Sequence, residues 1–223
     1  MKAFHNDKAV KKKYIARVLE HQKADQVMRG RYWDKQPDGV FRGCAVGCTL
    51  HSGEHQAYET ELGIPEWLAR LEDYLFENMA TGYKTWPHRF LRAIPVGFDN
   101  WDYVWHKFSI YLLLEDEEAA IKHADEDAHQ VQAIAALHQA AIDDPEGDRS
   151  AACLAAWSAA WSAARSAERS AAWLAAWSAA RSGARSAARS AERSAAWLAA
   201  WSAAESAAAK RQADYLLTLF KQG

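Results

Sequence analysis

The chain is poor in residues that interrupt helices: 223 residues include five prolines and eleven glycines. That excludes a collagen-like or Pro/Gly-rich disordered chain and permits long helices. Cysteine is sparse and odd in number, with Cys44, Cys48 and Cys153 only. A disulfide scaffold is therefore not expected, and a reducing compartment is. No apolar run approaches the roughly 20 residues that a membrane span needs. The basic N-terminal residues Lys2, Lys8, Lys11, Lys12 and Lys13 are not followed by an apolar segment of the kind found in a secretion signal. The expectation is a soluble, cytoplasmic protein with no membrane partner. A phosphate-binding glycine loop and a nucleophile elbow are both missing. Net charge is −2, which argues against general affinity for nucleic acid.

Half the residues are apolar and a quarter charged, a globular composition of a length for one large domain or two small ones. Tryptophan is abundant, with eleven residues. Each buries a large area, so a core or an interface must receive them. Charge is uneven: residues 1–147 carry a net −7 and residues 148–223 a net +5. The acidic stretch DDPEGD at 143–148 marks the sharpest change in composition. The chain accordingly reads as all-α, with an irregular helical bundle head at 1–147 and a repeat tail at 148–223. The opposite charges favour docking of tail on head, in one cooperative unit.

Within the head, Asn6-Asp7 is suited to cap a first helix through Tyr14, Ile15, Val18 and Leu19, with Gly30 as its stop. Pro37 and Asp38-Gly39 signal a turn, and a short hairpin fits residues 31–42. Ser52 is placed to cap a helix from Gly53 to Leu62, stopped by Gly63. Pro65 then stands at the first turn of the next helix. There Trp67, Leu68, Leu71, Leu75 and Phe76 make an apolar face, with Glu72, Asp73 and Glu77 around its edge. Residues 84–95 suit a short helix, 99–114 an aromatic buried helix, and 117–142 an acidic amphipathic one.

From Ser150 the tail follows a four-residue rule: Ser or Leu, two Ala, then Trp, Arg or Glu. The segment ERSAAWLAAWSAA at 168–180 recurs at 192–204. Alanine is the best helix former, so the tail is expected to be helical, either long or folded back near Gly183. A four-residue step advances 400°, so the stripe drifts about 40° per repeat. Trp157 and Trp161 then fall nearly opposite Trp173 and Trp177, with Trp197 and Trp201 returning towards the first side. No ordinary supercoil absorbs that period. These six tryptophans are therefore the expected interface of a homo-oligomer. The arginines at 181, 185, 189 and 193 suit a solvated or head-docking face better than nucleic acid.

The tail resembles the Ala-rich helical repeats, with regularly spaced Trp and Arg, of uncharacterised phage and bacterial proteins, some labelled putative immunity proteins. The resemblance covers about 70 residues. It implies a role in conflict between phage, host and toxin, and it transfers no functional residue.

Candidate chemistry lies in the head. Cys44, Cys48, His51 and His55 are spaced 4, 3 and 4, so on a continuous helix they would share a face, extended by Glu59. Cys and His are preferred ligands of zinc. One straight helix cannot wrap four ligands round one ion, so the glycines would have to bend it. The competing reading makes the cysteines small buried apolar residues and the histidines their polar neighbours. A second constellation adds His21 and Asp25, one turn apart on the first helix, and Asp73 and Glu77 on the 65–79 helix. Bundles build metal or ligand pockets from such residues, and His21, Asp25, His51, His55, Glu59, Asp73 and Glu77 could line one. The alternative leaves Asp73 and Glu77 in solvent, paired with Arg70 or another cation. His123-x₂-Glu126-x₂-His129 has a di-metal spacing, but its acidic surroundings suit a solvated face. Two functions remain: a non-enzymatic protein that binds a protein partner or small ligand, or a metal-dependent hydrolase using a divalent transition metal such as zinc.

Overall fold

The computed structural model describes residues 1–124, 128–145 and 193–222, with backbone only at 123, 130 and 193–205. The described residues are all-α apart from one two-stranded ribbon. They fall into two compact units, one of residues 1–101 with 209–223, the other of 102–208.

In the first unit, α1 (Lys8–Lys23) begins where expected. The Asp7 carboxylate accepts from the Ala9 backbone N–H at 2.7 Å, satisfying a donor that a helix start leaves open. The helix ends at Lys23, seven residues before Gly30, because Asp25 enters the left-handed region at φ 54°. The expected hairpin is present as β1 (Trp33–Lys35) and β2 (Phe41–Gly43), antiparallel, with Trp33 opposite Gly43. Its turn uses Gly39 at φ 81° and the Asp38 carboxylate, which accepts from Val40 N–H.

The chain then makes α2 (Ala45–Leu50), whose six residues are all buried. It packs against α1, α4 (Glu66–Asn78), α5 (Trp86–Ala93) and β2. Gly47 explains how so short a helix can sit so deep. A Cβ there would lie 1.4 Å from the Tyr32 carbonyl oxygen, so only glycine lets the hairpin backbone cross it. His51 ends α2 in the left-handed conformation, φ 60°.

The helix expected from Gly53 is shorter, α3 (Ala57–Leu62), with Gln56 rather than Ser52 at its start. Gly63 stops it at φ 62°. Pro65 precedes α4 directly. On α4 the buried face is Leu68, Glu72, Leu75 and Phe76. Glu72 therefore lies within the apolar face rather than at its edge. The spacing 68, 72, 75, 76 follows the helical period, so its position was readable although its charge pointed the other way.

The core of this unit gathers Phe4, Tyr58, Leu62, Ile64, Phe76, Trp86, Phe90 and Leu91, all essentially inaccessible. The chain's C-terminal end completes it. The helix α8 (Arg193–Leu219) carries Ala213, Leu216 and Leu219 into burial, and Phe220 follows. Phe220 meets Phe90 and Phe98 edge to face, with centroids 6.1 and 5.8 Å apart. Asp214 accepts from Arg89 at 2.6 Å.

In the second unit, α6 (Trp101–Ile110) runs into a π-turn at Tyr111–Glu115. A 3₁₀ turn (Ala120–His123) and α7 (Ala128–Asp143) follow, replacing the single helix expected over 117–142. Leu113, Ala120, Val131, Ile134 and Ala135 form its core. His106 on α6 and His138 on α7 are both buried, with Nδ1 atoms 2.8 Å apart. No helix among the described residues is long and apolar enough to cross a membrane.

Candidate metal centre

Three elements bring side chains with ligand chemistry together in the first unit. Cys44 stands at the N-cap of α2 and its Sγ accepts from Gly47 N–H at 3.4 Å. A cap residue has extended backbone, here ψ −173°, so its side chain leaves the helix start rather than lying along the helix flank. Asp73 and Glu77 are one turn apart on α4. Ligand atoms of Cys44, Asp73 and Glu77 all lie within 4.8 Å of one another. One sulfur and two carboxylate oxygens at that separation suit an ion with bonds of about 2.0–2.3 Å, the range of zinc to oxygen and thiolate.

Each ligand candidate is held from behind. His55 Nε2 lies 3.2 Å from Asp73 Oδ2, and Tyr32 meets the His55 ring edge-on. Glu77 Oε2 accepts from Gly30 N–H at 2.7 Å. The other Asp73 oxygen, Oδ1, is buried, and the Cys44 thiol is the side chain that hydrogen-bonds to this carboxylate. A buried carboxylate is costly unless donors or something positive meet it.

Within this cluster burial and mutual repulsion oppose charge on Cys44 and Glu77. Burial, then the Asp73 charge, push the Cys44 thiol far above its ordinary range. Burial likewise raises Glu77 and the Asp73 charge adds to it, against the Gly30 N–H and the Arg29 guanidinium, which lower it. Behind them Glu72 is fully buried and raised well above the carboxylate range, chiefly by desolvation, with Tyr58 donating to its Oε2 at 2.6 Å. A divalent cation reverses these terms, since a metal-bound thiol is deprotonated.

The residues singled out by sequence divide among different tasks. Cys44, Cys48, His51 and His55 do not meet at one point, because α2 stops at Leu50 and His51 turns left-handed. Cys48 donates to the Gly43 carbonyl at 3.2 Å, and burial lifts its thiol to about 12. That is the small buried residue of the competing reading. His51 faces His21 instead, Nε2 to Nε2 at 2.8 Å, with Trp33 stacked on its ring at 4.6 Å. Desolvation, then Arg17 and His21, lower its affinity for a proton. Asp25 has left α1 and pairs with Lys84 at 2.5 Å, which holds its carboxyl below the usual range. Glu59 accepts from Glu66 N–H and so caps α4.

Sequence reasoning named Cys44 and named the Asp73/Glu77 pair, but in separate constellations. The tryptophans Trp157, Trp161, Trp173 and Trp177 lie outside the described residues, as do the side chains of Trp197 and Trp201 and the whole of Glu126. Compared with known proteins, the chain matches no family model, no curated protein and no solved structure.

Proposed function

We propose that the helical head is a non-enzymatic ligand-binding module whose ligand is a divalent transition metal such as zinc, held by Cys44, Asp73 and Glu77. One observation carries this reading: ligand atoms of a buried thiol and two carboxylates lie within 4.8 Å of one another, with an Asp73 oxygen buried among them. His55 and the Gly30 amide orient the two carboxylates from behind, the support that metal ligands ordinarily need. The repeat tail would supply association, through Trp157, Trp161, Trp173, Trp177, Trp197 and Trp201, most simply as a homo-oligomer or on a protein partner. A place in phage–host or toxin–immunity conflict, in the cytoplasm, is the biological setting we assign on the tail's resemblance.

Three protein ligands leave a coordination position open, as catalytic zinc sites do. That favours, as a second reading, a metal-dependent hydrolase with the same residues around the ion.

The test is metal binding by the full-length protein. We expect about one equivalent of zinc, and with Co(II) a thiolate-to-metal charge-transfer band. Cys44→Ser should abolish the band, Asp73→Asn should weaken binding at least tenfold, and Cys48→Ser should leave both unchanged. Saturation at 100 times Kd should raise stability by about 2.7 kcal/mol. A folded protein that shows no charge-transfer band with Co(II) would refute the proposal. Hydrolysis of a phosphoester or peptide substrate by the zinc form, lost in Cys44→Ser, would favour the second reading over the first.

A further inference from the structure

The described residues contain two histidine pairs with facing nitrogens, and they differ in access. His106 and His138 are both buried, away from ions in solvent. His51 is exposed and His21 half-buried, so an ion could reach the space between them from solvent.

Both rings of this second pair are already fixed. His51 has its backbone set by the α2 terminus, where its N–H donates to the Gly47 carbonyl at 2.8 Å. It is a non-glycine residue in the left-handed region, a conformation that survives only where the surroundings enforce it. Trp33 lies parallel to the His51 ring, at 12°, and is itself stacked on Phe41 across the hairpin. His21 stands edge-on to the same indole, at 4.7 Å. Its Nδ1 lies 2.6 Å from Gln26 Oε1. An amide oxygen only accepts, so His21 carries its proton on Nδ1 and turns a lone pair from Nε2 towards His51. The proton between the two Nε2 atoms therefore belongs to His51.

We propose that His21 and His51 form a second metal site, an imidazole-only site for a divalent transition ion in which the metal takes the place of the shared proton. It stands independently of the site at Cys44. The geometry needs little change. Two nitrogens on a tetrahedral ion with bonds of about 2.05 Å are about 3.3 Å apart, against 2.8 Å in the pair. The ring centroids would be about 5.2 Å apart by the same construction, against 5.0 Å observed. The rings tilt and the nitrogens open by about half an ångström, while the centroids stay nearly in place. The His51 proton moves from Nε2 to Nδ1, so both rings remain neutral and none is lost. Waters complete the coordination. Gln26 holds the His21 tautomer from behind, the role an outer-shell acceptor plays for a metal-bound histidine. Arg17 is the nearby opposing charge; its guanidinium is turned to the Thr49 carbonyl at 2.7 Å, and Glu61 acts on His51 in the contrary sense.

The experiment uses Cu(II) as the probe, one equivalent on the full chain carrying Cys44→Ser, followed by paramagnetic resonance and calorimetry. We expect hyperfine structure from two imidazole nitrogens. His21→Gln should reduce it to one nitrogen and weaken binding at least tenfold. Gln26→Leu, which keeps both ligands but frees the tautomer, should weaken binding about 10–100-fold. His51→Asn suits the left-handed backbone and should keep the fold, checked by circular dichroism, while losing the second nitrogen. A parent spectrum with one nitrogen, or spectrum and affinity unchanged in both histidine variants, would overturn the proposal. Loss of the cobalt charge-transfer band in the Cys44→Ser chain does not bear on it, so the two sites succeed or fail separately.

Discussion

Phe220 lies 119 residues after Trp101 in sequence, yet it is packed as deeply as any residue of the first unit. It is 1 % exposed and wedged edge-on between Phe90 and Phe98. Replacing it with alanine tests whether the chain's C-terminal end is part of that core. Removing the ring forfeits about 2–3 kcal/mol of burial. The void, about 100 Å³ if nothing relaxes, adds about 2 kcal/mol at 24 cal/mol per Å³. Partial collapse reduces the sum, and about 3–5 kcal/mol is the range seen for such truncations. For a unit of this size that lowers the melting temperature by roughly 10 °C or more.

The comparison is Asp214→Asn on the same helix end. It removes the partner of Arg89 at 2.6 Å and Lys210 at 2.7 Å, but all three side chains are well exposed. Such a loss costs about 0–1 kcal/mol. Urea denaturation followed by circular dichroism measures both. If Phe220→Ala moves the midpoint no further than Asp214→Asn does, the C-terminal segment is not a structural part of the core and the reasoning fails.

Further outcomes follow from the same contacts. Gly47→Ala places a methyl 1.4 Å from the Tyr32 carbonyl oxygen, a collision with backbone, and should cost about 3 kcal/mol or more; a variant of wild-type stability would show that the hairpin does not cross α2 so closely. Glu72→Gln keeps a neutral polar partner for Tyr58 and should cost about 1 kcal/mol or less, whereas Glu72→Ala strands the hydroxyl beside a cavity and should cost about 2–4 kcal/mol; equal losses in urea melts would contradict the role of residue 72 as the polar partner of Tyr58. Acid should destabilise the second unit through His138, which desolvation first, and His106 second, hold down at about 4. Its folded value is below its unfolded one, so the unfolded chain binds the extra proton and stability falls as pH drops from about 6.5 to 4. At about 1.4 kcal/mol per pH unit the loss is at most about 3.5 kcal/mol; a His138→Gln variant with the same acid slope would exclude this origin.

The elements that were legible in the sequence are those fixed by local chemistry. Asp7 ahead of a helical apolar pattern, Asp38-Gly39 in a turn, and Gly63 followed by Pro65 each act within a few residues, and each sits where its side chain or backbone preference puts it. The misplacements share a different origin. Gly30 is the stop that sequence predicts for α1, but Asp25 ends it five residues earlier by adopting a left-handed conformation that aspartate tolerates better than most residues. The helix expected from Gly53 starts late because residues 51–56 follow the α2 terminus and Tyr32 lies against Gly53. Those are tertiary constraints, and no window along the chain contains them.

The candidate site shows the same division more sharply. The spacing of Cys44, Cys48, His51 and His55 suggested one helical face because period is the only geometry a single segment displays. The fold uses these residues differently, and the reason can be traced to Gly43 and Gly47. The hairpin backbone at Tyr32 lies against Gly43 at the end of β2 and against Gly47 within α2. That crossing leaves Cys44 at the helix start, its N–H bonded to the Arg31 carbonyl at 2.6 Å, and buries Cys48 against Gly43. It also brings Trp33 over His51. The two halves of the four-residue pattern are thereby sent to different partners, Cys44 to α4 and His51 to α1. A glycine at the end of a strand and a second one four residues on, inside a buried short helix, are the sequence feature that marks such a crossing. Within that pattern the glycines say where the cysteines and histidines must part, and the ligands follow from the backbone that passes between them.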